Sequence, residues 1–298
     1  MVWSSALSLL VASPALAPGG LARLAGRWHG FEQRFHASSG RPLPVPEELT
    51  PRSDLEWGTA PYGFAAELEL EPADGALRAA HQRKLLWSGC FIDGPSQTAE
   101  RWATARDSAS VLETGCWAVG GEACAAAFRA LPLAYRAPLA IAALSGEPVL
   151  LVELGILSAD GTSLCLLHLA HGAPDGGPLV LPPVATFFAR SERDGAALAA
   201  RLGDEAQRRA ADSGVASHTP APSARGKLDL ELADGLLLAV RPCVPAAGES
   251  RARAPGAAGL ADFALTASWR GTCLRVQWRD SAVCTVTAAE ELANVSLE

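Results

Sequence analysis

Lysine, asparagine, methionine and tyrosine are nearly missing from this 298-residue chain: two Lys, one Asn, one Met and two Tyr, against 23 Arg. A GC-rich coding genome accounts for that imbalance, so alanine-rich stretches carry little weight as helix signals here. No basic patch is interleaved with aromatics, and the formal charge is −7 with a pI near 5.4. Both features exclude a nucleic-acid binder. No stretch approaches the roughly 18 uncharged apolar residues of a membrane span, so a soluble chain without a transmembrane segment is expected. Gly-x-Ser-x-Gly, the P-loop, Gly-x-Gly-x-x-Gly and His-Glu-x-x-His are all absent, and no catalytic residue is assigned.

The seven cysteines (Cys90, Cys116, Cys124, Cys165, Cys243, Cys273, Cys284) form no Cys-x-x-Cys and no Cys/His cluster at zinc spacing. No metal site is expected, and an odd number spread over apparent strands reads as reduced, buried thiols. His168 and His171 are three residues apart on a strand, which sends them to opposite faces and disfavours a metal pair. At the N-terminus, 6–17 has the apolar core and Ala-x-Ala ending of a signal peptide. However, no Lys or Arg precedes it and Pro18 follows the would-be cut, so a targeting segment and an ordinary cap both stand.

What the chain does have is strand material. Gly26-Arg27-Trp28-His29-Gly30, running into Phe31–Phe35 and the Ser38-Ser39-Gly40 turn, reads as the first strand of a barrel. Its glycines admit close backbone approach, and its indole plugs the closed end. A proline-rich loop, 41–61, follows. Phe64, Ala66, Leu68 and Leu70 then alternate with Glu67, Glu69 and Glu71, the period-2 signature of a half-buried antiparallel strand. Further strands are predicted at 82–88, 108–119, 139–144, 149–157, 163–169 and 184–190, joined by Asp/Gly/Pro turns. The run of short strands favours an all-β, up-and-down antiparallel barrel over 21–193.

The pattern changes at 194–212, which reads as a helix with Leu198, Leu202 and Ala206 on one face. A Ser/Pro/Ala linker carries the chain to about 226. Strands at 227–232, 236–243, 263–270, 273–279 and 283–289 then suit a smaller or truncated second β-barrel or sheet over 227–298, interrupted by a loop at 246–259.

With these pieces placed, a resemblance emerges. Leu24–Gly30 is similar to the first strand of the lipocalin-like (calycin) superfamily. Val111-Leu112-Glu113-Thr114-Gly115-Cys116-Trp117, Leu151–Ile156 and Phe187–Glu192 resemble, in order, later strands of one family within it. That family has no known function; it comes from cyanobacteria and plastid-bearing eukaryotes and is distantly similar to S-type phycobilin lyases. The chain departs from its pattern at Thr114 and in its shortened second half. The resemblance implies a calycin barrel, a bound apolar or tetrapyrrole-like small molecule, and a plastid location; without it, the thiols alone suit the cytoplasm. It names no cofactor.

Polar residues inside apolar strands are the candidate ligand-binding set: Trp28, Glu32, Arg34, Glu113, Trp117, Glu153 and Arg190. An unpaired buried charge is costly, so each carboxylate either faces solvent or is partnered inside. One reading makes Glu113, Glu153, Arg34 and Arg190 anchors for a ligand in the barrel. The other is a structural Arg–Glu pairing that closes the barrel end, with Arg190 laid over Trp28. Three function classes follow: a binding protein, a non-catalytic scaffold using the barrel exterior, and a chromophore lyase-like enzyme.

Overall fold

The computed structural model describes residues 17–50, 56, 61–73, 76–84, 96–104, 110–120, 129, 131, 136, 149–172, 179–180, 182–211, 228–242, 263–279 and 282–290. The expected strand at 139–144 and the loops at 213–225 and 246–259 lie outside these residues.

A short helix α1 (Pro18–Leu24) leads into β1 (Gly26–Phe35), β2 (Pro42–Leu43) and a 3-10 turn at Glu47–Leu49. Strands β3 (Phe64–Ala73), β4 (Ala76–Lys84), β5 (Ser96–Thr104), β6 (Ser110–Val111) and β7 (Trp117–Gly120) follow. Then come β8 (Val149–Leu157), β9 (Ser163–Gly172), β10 (Leu179–Val180) and β11 (Val184–Ala189). These strands form one antiparallel sheet in the order β5-β4-β3-β1-β11-β9-β8-β7-β6, with β2 on β1 and β10 on β9. Helix α2 (Glu192–Ala211) separates it from a meander of β12 (Leu228–Glu231), β13 (Leu237–Pro242), β14 (Phe263–Trp269), β15 (Thr272–Arg279) and β16 (Ala282–Glu290). The protein is therefore mostly β, a half-barrel followed by a helix and a smaller sheet.

The curl of the large sheet can be argued from α1. The amide of Ala17, the residue before the helix, donates to Val111 of β6 at 2.9 Å, while the helix itself packs on β3. Those strands stand six places apart in the sheet order, roughly 29 Å if the sheet were flat. A helix of seven residues is only about 10 Å long. It meets both strands because the sheet wraps around it. Among the described residues no ladder joins β5 to β6, so the described strands curl into a half-barrel and not a closed one.

Alternate residues of β1 fall on two differently covered faces. His29, Phe31, Gln33 and Phe35 look toward α2 and the second sheet: Gln33 donates to the Leu202 carbonyl, and Phe187, opposite Phe31, meets Trp269 with ring centroids 6.0 Å apart. Trp28, Gly30, Glu32 and Arg34 share the other, inward face with Leu68 of β3 and Thr186 and Phe188 of β11. One continuous apolar core links both sheets and both helices. Gly30 fits because β11 crosses it closely: a Cβ there would stand 1.8 Å from the Phe187 carbonyl oxygen.

The predicted strand at 108–119 is instead two short strands around a turn at 112–115. The Leu112 amide bonds the Cys116 carbonyl, and the Gly115 amide bonds the Leu112 carbonyl. Gly115, at φ 86°, supplies the left-handed residue that closes it. An additional strand, β5, forms where none was expected.

Candidate functional site

The inward face carries two rows of cross-strand neighbours. Register places Arg34, Val184, His168 and Glu153 side by side across β1, β11, β9 and β8. The next row runs Glu32, Thr186, Leu166, Gly155 and Trp117. Rows two residues apart along a strand lie about 7 Å from one another. One patch of the half-barrel thus gathers two carboxylates, two imidazoles counting His81 of β4, a guanidinium and an indole.

Glu153 is the best-defined member. Its Oε1 accepts from Trp117 Nε1 at 2.8 Å, and its Oε2 lies 3.0 Å from His168 Nε2. Carboxylate and imidazole are at most 1% exposed. Trp117 reaches the carboxylate by laying its ring over Gly155, where a Cβ would come within 2.2 Å of the ring atoms. Glycine at 155 is therefore what seats the indole. Around Glu32, also fully buried, Thr186 Oγ1 donates to Oε2 at 3.3 Å and His81 Nε2 lies 3.8 Å away. His81 in turn meets Phe188 edge-on, with centroids 5.8 Å apart.

Such an arrangement shares a hydrogen bond between Glu153 and His168 and sets two carboxylates and a guanidinium on one buried face. Stability alone does not call for it. Buried ion pairs are frequently matched or bettered by apolar residues of the same volume, while breaking one by removing a partner costs ~3–5 kcal/mol.

Of the residues singled out from sequence, the structure brings together Glu32, Arg34, Trp117 and Glu153. Trp28 and Arg190 sit elsewhere, at the end closed by α1. The Trp28 indole donates to the Leu24 carbonyl at 3.0 Å, and the Arg190 guanidinium lies over its ring at 3.7 Å while donating to the carbonyls of Arg23 and Ala25. Desolvation there lowers the Arg190 pKa below the usual arginine value. Glu113 is exposed in the 112–115 turn, its carboxylate against Gly19 of α1.

His81 and Thr186 escaped the sequence reading, and His168 was weighed there only as a metal ligand. For His168 the signal was present: a tight hairpin around Asp160-Gly161 that pairs Leu157 with Leu164 also pairs Glu153 with His168. The spaces beside Gly30 and Gly155 are filled by the β11 backbone and by Trp117. Burial raises the pKa of the Cys116 thiol and pushes that of Cys165 well up; neither is in a disulfide, nor is half-buried Cys273. Among the described residues no three His, Cys, Asp or Glu side chains converge to hold a metal, and no helix is long and apolar enough to cross a membrane. No protein-family model, no curated protein and no solved structure matches the chain.

Proposed function

We propose that the half-barrel binds an apolar or tetrapyrrole-like small molecule against its inward face. The observation that carries this reading is the buried grouping of Glu32, Arg34, His81, Glu153 and His168 on one inward patch walled by Trp117, Phe188 and Leu68. A linear or cyclic tetrapyrrole offers pyrrole N–H donors, which suit Glu32 and Glu153, and propionates, which suit Arg34. The calycin resemblance points the same way and adds a plastid location, checked by imaging a full-length fluorescent fusion.

Trp117 is bonded to Glu153, so its fluorescence reports the site directly. Titration with bilins, porphyrins and fatty acids is expected to quench it at micromolar ligand. Arg34→Met should weaken acidic ligands more than their esters, and Arg190→Met should not discriminate between them, because its guanidinium serves Trp28 and two carbonyls. The filled spaces at Gly30 and Gly155 favour a second reading, a non-catalytic scaffold with a packed interior. Absence of quenching across the whole panel would leave the scaffold in its place.

A further inference from the structure

A second, separate place in the molecule is built for polar recognition. Along one stripe of α2, Asp194, Ala197, Leu198 and Arg201 border a groove of about 370 Å³, whose far wall is Ser163 and Arg270. Arg270 and Gly271 form the two-residue turn between β14 and β15, both at positive φ, 44° and 75°. That geometry selects Gly, Asn or Asp at its first position, so an arginine sits there against backbone preference.

Its side chain shows what is gained. Arg270 Nε donates to Asp234 Oδ2 at 3.0 Å and Nη1 to Ser163 Oγ at 2.5 Å. Asp234, itself left-handed at φ 53°, also accepts from Arg201 at 2.6 Å and from Trp269 Nε1 at 3.1 Å. A carboxylate 9% exposed thus fixes two guanidiniums at the groove's edge before any ligand arrives.

The groups left over define the occupant. Arg270 is engaged by Asp234 and Ser163, and the neighbouring Asp160 by Ser158 and Thr162. Arg201 uses a single N–H, on Asp234, and the rest of its half-exposed guanidinium fronts the groove. Asp194 accepts the Ser191 hydroxyl on Oδ2 and keeps Oδ1 for a donor. Between these two, seven residues apart on α2 and so about 10 Å along its axis, lies the apolar floor of Ala197 and Leu198.

One cationic edge, one anionic edge and a short apolar stretch between them call for a ligand with the opposite pattern. We propose that this groove binds a small ω-amino acid, a zwitterion whose charged ends are separated by a short alkyl chain, with its carboxylate on Arg201 and its ammonium on Asp194. The test is calorimetric titration of the full chain with γ-aminobutyrate, 5-aminovalerate and 6-aminohexanoate, alongside butyrate and butylamine, which each carry one charge. At least one zwitterion should bind with a submillimolar Kd, and the singly charged compounds roughly tenfold or more weakly.

Asp194→Asn, which can still accept from Ser191, should cost that zwitterion roughly tenfold in affinity with the melting temperature unchanged; Arg201→Gln should do the same to the carboxylate end. Binding that survives both substitutions, equal binding of butyrate, or no zwitterion bound below about 10 mM would each overturn the assignment.

Discussion

Replacing Trp28 by Ala removes the plug from the end of the half-barrel closed by α1. The side chain is fully buried, bonds the Leu24 carbonyl, and carries the Arg190 guanidinium on its face. Deleting a buried aromatic costs ~3–5 kcal/mol, which for a chain of this size lowers Tm on the order of 10 °C. Trp28→Phe keeps most of the ring and loses the hydrogen bond to Leu24, so its cost should fall near 1–2 kcal/mol, roughly that of one buried bond and a small void. Arg190 allows a sharper test. Its stacking on Trp28 should appear as a coupling of roughly 0.5–2 kcal/mol in a double-mutant cycle of Trp28→Ala with Arg190→Met. Chemical denaturation of the four proteins measures it. Equal effects of Arg190→Met with and without the indole would refute the stacked plug, and an unchanged Tm for Trp28→Ala would refute the burial argument altogether.

Other outcomes follow from the same geometry. Gly30→Ala places a Cβ 1.8 Å from a backbone oxygen that no rotamer change can move, so it should destabilise by at least about 1–3 kcal/mol. Gly203→Ala, within α2 with nothing near the new Cβ, should stabilise by ~0.5–1 kcal/mol in the same thermal assay. Hydrogen bonds from Ser158 and Thr162 hold Asp160 below the ordinary carboxylate range. Its contribution is therefore present above about pH 4, the unfolded value, and lost as pH falls through the lower folded one. The Tm gap between the native chain and Asp160→Asn should accordingly close on acidification. With a thiol reagent at mild alkaline pH, half-buried Cys273 should react before Cys116 and Cys165, which burial keeps protonated; early labelling of Cys165 would contradict its placement.

How legible each element was depended on how many of its faces are covered. β3 alternates in sequence because its Glu67 and Glu69 side reaches solvent while Ala66, Leu68 and Leu70 are buried. β8 and β9 do not alternate, because the half-barrel interior covers one face and the second sheet the other; a near-continuous apolar run is what such strands need. Their extents could be read, but not which residues faced inward. β5 was missed for the opposite reason: Ser96–Thr104 is largely polar, and it becomes a strand because β4 pairs with it along its whole length. The turn at 112–115 hid inside an expected strand because 108–119 was read as one extended run, whereas Gly115 is left-handed at φ 86°.

The same double covering gives the inward polar residues their meaning. In a strand with one wet face, a glutamate in an apolar run simply points outward, as Glu67 and Glu69 do. Glu32 and Glu153 have no wet face to choose, since α2 and the second sheet occupy the outer side and the curled sheet encloses the inner one. Each must be held by bonds inside the protein, and each is, by Thr186 in one case and by Trp117 and His168 in the other. An apolar pair would fill the same volume without that requirement. Replacing Glu153 and His168 together by Leu and Met removes the acceptor of the Trp117 N–H but leaves no half of the pair behind, so it should lower the melting temperature less than Glu153→Leu alone, which removes both that acceptor and the carboxylate beside His168. If the double replacement is as damaging as the single one, the pair is part of the fold's own support, and the inward patch gives no reason to look for a ligand.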